Sequence, residues 1–130
     1  MEMLSGKTAL ITGGSSGIGA ETARVFAKHG AKVAIFARGQ EKLDKVAAEL
    51  RAMGAECLTI SGDATNSEDC EAAVEQVVKA FGRIDVLVNN AGITKDGLLA
   101  RMSEEQFDIV TNVNYKSVFN MTRHVSGVMI

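Results

Sequence analysis

Short apolar runs alternate with longer amphipathic stretches along this chain of 130 residues. The runs are rich in β-branched residues and too short to form helices, so they predict β-strands. The predicted strands are Thr8–Thr12, Lys32–Ala37, Glu56–Ser61 and Ile84–Val88. The second and fourth, KVAIFA and IDVLV, are nearly continuous apolar runs, which are typical of strands that are covered on both faces of a sheet.

Between the strands, apolar residues recur at helical spacing. This spacing predicts helices over Gly17–His29 and Gln40–Met53 and a third helix that ends near Phe81. Thr65 and Glu68 have the spacing of a capping box, so they are predicted to open the third helix. The three helices are followed by glycines that favour a left-handed C-terminal cap, namely Gly30, Gly54 and Gly82.

The pattern after the fourth strand predicts two separate helical stretches. Ser103 and Gln106 form a second capping-box pattern, which opens a helix that runs to about Val110. A further apolar stripe extends from Val118 to Met129. The whole order therefore alternates strand and helix, which predicts an α/β fold: a doubly wound parallel sheet with right-handed crossovers and helices on both faces.

Composition and charge narrow the possible functions. Hydrophobic residues make up 46% of the chain and charged residues 23%, which is typical of a globular protein. The net charge of −2 and the lack of a dense Lys/Arg cluster argue against a nucleic-acid partner. No apolar run approaches the roughly 18 residues of a membrane span, and MEMLSGKTAL does not resemble a signal peptide, so we expect no membrane partner and a cytoplasmic location.

The two cysteines and two histidines suggest no chemistry of their own. Cys57 and Cys70 are expected to be buried free thiols, as is usual in a reducing compartment. Neither is combined with histidine at metal-ligand spacing, so we predict no metal site. His29 and His124 lie on predicted helices without a partner at ligand spacing, and we assign them no functional role.

The clearest local motif is TGGSSGIG, which joins the first strand to the first helix. Gly13 is predicted to make the tight turn, Gly17 to let the backbone approach a pyrophosphate, and Gly19 to let the helix pack close to the strand. The amides and the positive dipole end of the following helix favour a phosphate. No G-x-x-x-x-G-K-[ST] run is present, and the loop has more glycine than a flavin-binding phosphate loop, so we reject both of those alternatives.

The spacing T-G-x-x-x-G-x-G, together with NNAG after the fourth strand, resembles the short-chain dehydrogenase/reductase family. The stretch from Asn89 to Arg123 is similar to the β-ketoacyl-[acyl-carrier-protein] reductases of that family. The resemblance covers nearly the whole chain. It implies a Rossmann-type sheet with the strand order 3-2-1-4 and a dinucleotide-binding domain over residues 1–130 that is incomplete on its C-terminal side. The domain is expected to belong to an enzyme that reduces a carbonyl, most specifically a 3-oxoacyl thioester of fatty acid synthesis.

The residue after the second strand indicates which nicotinamide cofactor is bound. An acidic residue there favours NAD, whereas an arginine accepts the 2′-phosphate of NADP. The sequence reads Ala37-Arg38, so we predict NADP(H), with Ser15 adding a neutral hydrogen bond to the same phosphate. Two alternatives remain for Arg38: that it is only a solvated charge, or that it pairs with the nearby Glu41.

The resemblance implies further site residues. Asp63 matches the family position that contacts the adenine ring, although as a residue on its own it reads equally well as a neighbour of a helix cap. Asn90 belongs to the Asn-Ala-Gly loop that lines the nucleotide, and Asn114 matches the asparagine of the family's proton relay. The remaining cofactor-binding positions implied by the resemblance are Ser16, Ile18, Ala64, Ala91 and Gly92.

The other catalytic residues of the family have no counterpart in the sequence. The family uses a serine and a Tyr-x-x-x-Lys pair, but Tyr115 is the only tyrosine and Phe119 stands four residues beyond it. We therefore expect this chain to bind nucleotide without catalysing reduction. The alternative is a non-catalytic nucleotide-binding or self-assembling module. An apolar fourth strand at the sheet edge also predicts a homo-oligomer, formed through that edge or through the last helices.

Overall fold

A computed structural model describes residues 3–90 and 104–129, with side chains described for 3–90 and 117–129. In this part of the chain, four parallel strands form one sheet in the order β3-β2-β1-β4, as the sequence predicts. The strands are β1 (Thr8–Thr12), β2 (Lys32–Ala37), β3 (Cys57–Ser61) and β4 (Val86–Val88). The strand order reverses between β1 and β4, because β2 pairs with one side of β1 and β4 with the other. In doubly wound folds, ligands bind at such a switch point.

The helices among the described residues cover the sheet: α1 (Gly17–Lys28), α2 (Gln40–Ala52), α3 (Ser67–Phe81) and α4 (Glu104–Met129). Successive strand side chains point to opposite faces, so each face has its own core. Leu10 and Phe36 pack with residues of α3 and α4 on one face, whereas Ile11 and Ile35 pack with residues of α1 and α2 on the other. The prediction of helices on both faces is confirmed.

The prediction of two helical stretches after β4 is wrong. Residues 104–129 form one helix of 26 residues. On its described part, the buried positions are Ser117, Met121 and Val125, which are spaced four residues apart and lie on one face. Ser117 is a small polar residue on this buried face, so the apolar pattern in the sequence breaks where the helix itself continues.

The glycines predicted at the C-terminal ends of the first three helices are confirmed, whereas the capping box predicted at the start of α3 is wrong. Gly30, Gly54 and Gly82 have φ values of 92°, 87° and 82°. However, the N-cap of α3 is Asn66, whose side chain accepts a hydrogen bond from the amide of Asp69 at 3.0 Å. Thr65 does not cap the helix because its hydroxyl donates to Asp63 at 2.7 Å. Ser103, which the second capping box requires, lies outside the described residues.

Both cysteines are buried and free, as expected. Burial raises the pKa of each thiol, Cys57 and Cys70, to about 11. Among the helices that the structure describes, none combines the length and the apolar character that a bilayer crossing requires.

Candidate functional site

The ends of β1, β2 and β3 are joined at the carboxyl edge of the sheet. The amide of Gly13, just after β1, donates to the carbonyl of Phe36 in β2 at 2.8 Å. The amide of Gly62, just after β3, donates to the carbonyl of Ala37 at 2.9 Å. The loops that follow β1, β2 and β3 are therefore held side by side, which brings together residues that are far apart in the sequence.

The glycine loop has the backbone geometry that the sequence predicts. Gly13 and Gly17 adopt φ values of 67° and 58°, in the left-handed region that other residues rarely enter. A Cβ atom on Gly19 would lie 2.0 Å from the carbonyl oxygen of Gly13. The turn and the close approach of α1 to β1 thus depend on glycine at these three positions.

A fourth glycine of the loop was not singled out from the sequence. Gly14 is buried, and a Cβ atom there would lie 2.7 Å from the side chain of Ile35 on β2. It is required because the loop packs directly on the sheet. The signal was present in the doubled glycine of TGG, but only the position of β2 beside the loop shows why both glycines are needed.

The N-terminus of α1 has the features of an anion site. Ser16 is the N-cap in an extended conformation, its side chain makes no capping hydrogen bond, and the first turn contains no acidic residue. Ser16, Gly17 and Ile18 are exposed, and Ser15 is partly buried beside them. The first-turn amides and the positive end of the helix dipole therefore face outward without a side-chain cap of their own, an arrangement that favours a phosphate.

Asn90 connects the end of β4 to the glycine loop. Its amide donates to the Thr12 hydroxyl at 2.9 Å, and its side-chain Nδ2 donates to the Gly13 carbonyl at 3.3 Å. Thr12 in turn donates to the carbonyl of Val88 at 3.3 Å. Thr12, which sequence reasoning did not select, is thus part of the bridge between β1 and β4. Ala91 and Gly92, the predicted continuation of this loop, lie outside the described residues.

Arg38 lies directly after β2, and its guanidinium is paired with Asp63 rather than with Glu41. The distance from the guanidinium to Asp63 Oδ1 is 3.5 Å. Two hydrogen bonds from Thr65, one from its hydroxyl and one from its amide, lower the pKa of Asp63, and the charge of Arg38 lowers it further. Two predicted site residues, 25 positions apart, are therefore in contact.

Two neighbouring residues fix this pair. The Ser61 hydroxyl, at the end of β3, donates to the backbone carbonyl of Arg38 at 2.9 Å. Ala64 is 8% exposed and belongs to the core next to α3, so its methyl group packs inside the protein. Ser61 was not predicted from the sequence, because its role depends on the pairing of β3 with β2.

Helix α4 is attached to the same edge by polar side chains. Asn120 donates to the Thr65 carbonyl at 3.0 Å, and Asn89 donates to the Thr122 hydroxyl at 3.1 Å. These contacts join α4 to the loop after β3 and to the end of β4. Asn114 lies within α4, but its side chain is outside the described part of the chain, so its predicted role is not tested.

Comparisons with known proteins agree with this architecture. The profile of the family described as short chain dehydrogenase matches residues 7–130. The 3-oxoacyl-[acyl-carrier-protein] reductase FabG of Thermotoga maritima is 46% identical over 127 residues, which are 98% of this chain and 52% of that protein.

Solved structures superpose closely on the chain. The L-sorbose reductase from Gluconobacter frateurii, complexed with NADPH and L-sorbose, is 34% identical with a TM-score of 0.86 and covers 99% of this chain and 50% of its own. A short chain dehydrogenase from Burkholderia cenocepacia in complex with NADP is 38% identical with a TM-score of 0.84, covering 96% and 51%. The chain thus spans about half the length of the relatives that it matches.

Proposed function

Because the chain belongs to the short chain dehydrogenase family, we propose that it is the NADP(H)-binding portion of an oxidoreductase that reduces a carbonyl. The observation that carries this proposal is the α1 N-terminus, which lacks a side-chain cap and follows a loop whose turn and packing require glycine. Such a terminus binds the pyrophosphate of a dinucleotide through backbone amides. In this proposal the pyrophosphate contacts the loop from Gly13 to Gly19.

Arg38 supports NADP(H) over NAD(H). Its side chain is 69% exposed at the end of β2, where the adenosine ribose lies in folds of this type. A guanidinium binds a 2′-phosphate through charge-assisted hydrogen bonds, and Ser15 supplies a neutral one. Two similar structures hold NADPH and NADP, which supports the same choice for this chain.

The remaining predicted residues complete the nucleotide site in this proposal. Asp63 lies beside the adenine, and Asn90 with Ala91 and Gly92 lines the nucleotide where β4 ends. Asn90 is already fixed against the glycine loop, which supports this placement. We treat residues 1–130 as one dinucleotide-binding domain.

The substrate class follows from similarity rather than from the site. A reductase of 3-oxoacyl-[acyl-carrier-protein] is 46% identical to the chain, so we propose a 3-oxoacyl thioester as the substrate of the complete enzyme. Asn114 is the one residue of the family's proton relay that we assign here. Since the sequence contains no Tyr-x-x-x-Lys, we assign nucleotide binding to these 130 residues and not reduction itself.

A second candidate function is self-assembly. Among the described strands, β4 lies at one edge of the sheet, and α4 exposes apolar side chains, of which Val118 and Phe119 are 44% and 52% exposed. An apolar edge strand and an apolar helix face both favour association with another copy. We propose a homo-oligomer formed through one of these two surfaces.

The cofactor proposal is tested by titrating the purified chain with NADPH and with NADH and following nicotinamide fluorescence. Replacing Arg38 with methionine is expected to weaken NADPH binding by about 10- to 100-fold, the range for one lost hydrogen bond to a charged group, and to leave NADH binding nearly unchanged. Lys79→Met is the matched control, because it removes an equal charge from the last turn of α3. Equal losses for both nucleotides, or no loss for NADPH, would contradict a 2′-phosphate site at Arg38.

A further inference from the structure

The contact between Arg38 and Asp63 places a carboxylate beside the group that recognises the cofactor. The guanidinium lies 3.5 Å from Asp63 Oδ1, and the two side chains are 69% and 38% exposed. We propose that Asp63 is a specificity-determining residue, which limits the preference of the site for a 2′-phosphate by opposing the phosphate charge at Arg38. This inference rests on the proposed NADP(H)-binding function.

Asp63 is held so that its carboxylate remains near Arg38. The hydroxyl and the amide of Thr65 both donate to Asp63 Oδ1, at 2.7 and 2.9 Å. The amide of Asp63 donates to Asp69 Oδ2 at 2.9 Å, which fixes the backbone of the loop. Asn120 of α4 fixes it further through the Thr65 carbonyl. The same Oδ1 atom contacts Arg38, so a rotation of the carboxylate away from Arg38 has to break two other hydrogen bonds.

Arg38 is fixed at its backbone and free to reorient at its side chain. Ser61 binds the Arg38 carbonyl, whereas the guanidinium has a single, exposed ion pair with Asp63 among the described residues. Exposed ion pairs are weak, so a phosphate dianion can replace Asp63 as the partner of the guanidinium. Asp63 stays in place when this happens, because its position depends on Thr65 and not on Arg38.

The bound phosphate and Asp63 then repel each other across the shared guanidinium. Hydrogen bonds from Thr65 keep the carboxylate ionised at neutral pH, since they lower its pKa. In a water-exposed site, like charges a few ångströms apart change affinity by about 3- to 10-fold. Adenosine nucleotides without the 2′-phosphate do not experience this repulsion. Asp63 therefore lowers the affinity for 2′-phosphorylated nucleotides relative to the affinity for nucleotides without that phosphate.

The experiment compares two small probes by calorimetry: adenosine 2′,5′-bisphosphate and adenosine 5′-monophosphate. They differ only in the 2′-phosphate, so the ratio of their affinities isolates that group from any contact between Asp63 and adenine. Asp63→Asn is expected to raise the preference for the bisphosphate by about 3- to 10-fold at low salt. The gain is expected to shrink at 0.5 M salt, because screening weakens exposed charge interactions.

Controls separate charge from position. Thr65→Val keeps the charge of Asp63 but removes one of the two hydrogen bonds that hold its carboxylate beside Arg38, so the ratio is expected to lie between those of the wild type and Asp63→Asn. Glu75→Gln removes an exposed negative charge from α3 and is expected to leave the ratio unchanged. Asp63→Ser gives a second neutral variant if Asp63→Asn does not fold, as judged by circular dichroism.

The outcomes distinguish this inference from the function on which it rests. A wild-type chain that binds neither probe, or shows no preference for the bisphosphate, overturns the proposed function and this inference with it. A wild-type chain that prefers the bisphosphate, combined with neutral variants that leave the ratio unchanged or lower it, overturns the inference alone. In the latter case Asp63 supports Arg38 instead of opposing the phosphate.

Discussion

Single residues differ in how far the sequence determines their role. Gly13, Gly19 and Gly82 were predictable because a tight turn, a close helix approach and a helix end each impose a local backbone requirement that glycine alone meets. The N-cap of α3 was not predictable in the same way. Thr65 and Asn66 are both good N-cap residues, and only the position of Asp63, which takes the Thr65 hydroxyl, leaves Asn66 as the cap.

The cap assignment gives a prediction at this scale. Asn66→Ala is expected to lower the free energy of unfolding by about 1 kcal/mol, because the Asp69 amide loses its acceptor. Glu68→Ala, which tests the capping box that the sequence suggested, is expected to cost less than about 0.5 kcal/mol as an exposed substitution. Urea denaturation measures both. If Glu68→Ala lowers the free energy of unfolding as much as Asn66→Ala does, the capping box of Thr65 and Glu68 is the better assignment.

The partner of Arg38 shows a different limit of sequence reasoning. Glu41, three residues away, was the plausible partner along the chain, whereas the structure brings in Asp63 from the end of β3. That contact exists because β2 and β3 pair in parallel and end at the same edge. The identity of the strand-end residues was predictable, but their mutual contact depends on the register of the sheet.

The strands were predicted to within two residues at their ends. β1 and β2 have the predicted bounds, whereas β3 and β4 begin at Cys57 and Val86, later than expected. The single helix α4 was missed because Ser117, a small polar residue, occupies a buried position of its apolar stripe. Burial of this face in the folded protein keeps such a residue in a helix, and the local pattern contains no information about tertiary packing.

Among the described elements, the edge position of β4 and the exposed apolar side chains of α4 predict self-association. Sedimentation velocity is expected to show dimers or larger species at high protein concentration, because an edge strand and exposed apolar side chains both favour contact with another copy. Phe119→Glu places a charge on the α4 surface and is expected to reduce association if α4 forms the contact. Association that survives this change points to the β4 edge. A clean monomer at high concentration would contradict both routes.

The topology of the whole molecule assembles the site. Residues that follow four different strands meet at one edge because all strands run in parallel and the order reverses beside β1. The alternation of strands and helices predicted the parallel sheet, and the family resemblance predicted its strand order. Because Gly13, Arg38, Asp63 and Asn90 each follow a strand, the two predictions together place them at a single edge. The links that make the edge rigid, from Thr12, Ser61 and Asn120, required the folded structure.

The most direct test of the nucleotide site is an NADPH titration of three forms of the chain: wild type, Gly19→Ala and Gly127→Ala. We expect saturable binding by the wild type and its loss in Gly19→Ala, whose Cβ would lie 2.0 Å from the Gly13 carbonyl oxygen. Gly127→Ala adds a methyl group in open space on α4 and is expected to bind normally. Equal NADPH binding by folded Gly19→Ala and wild-type chains, or no binding by the folded wild type, would contradict the central claim.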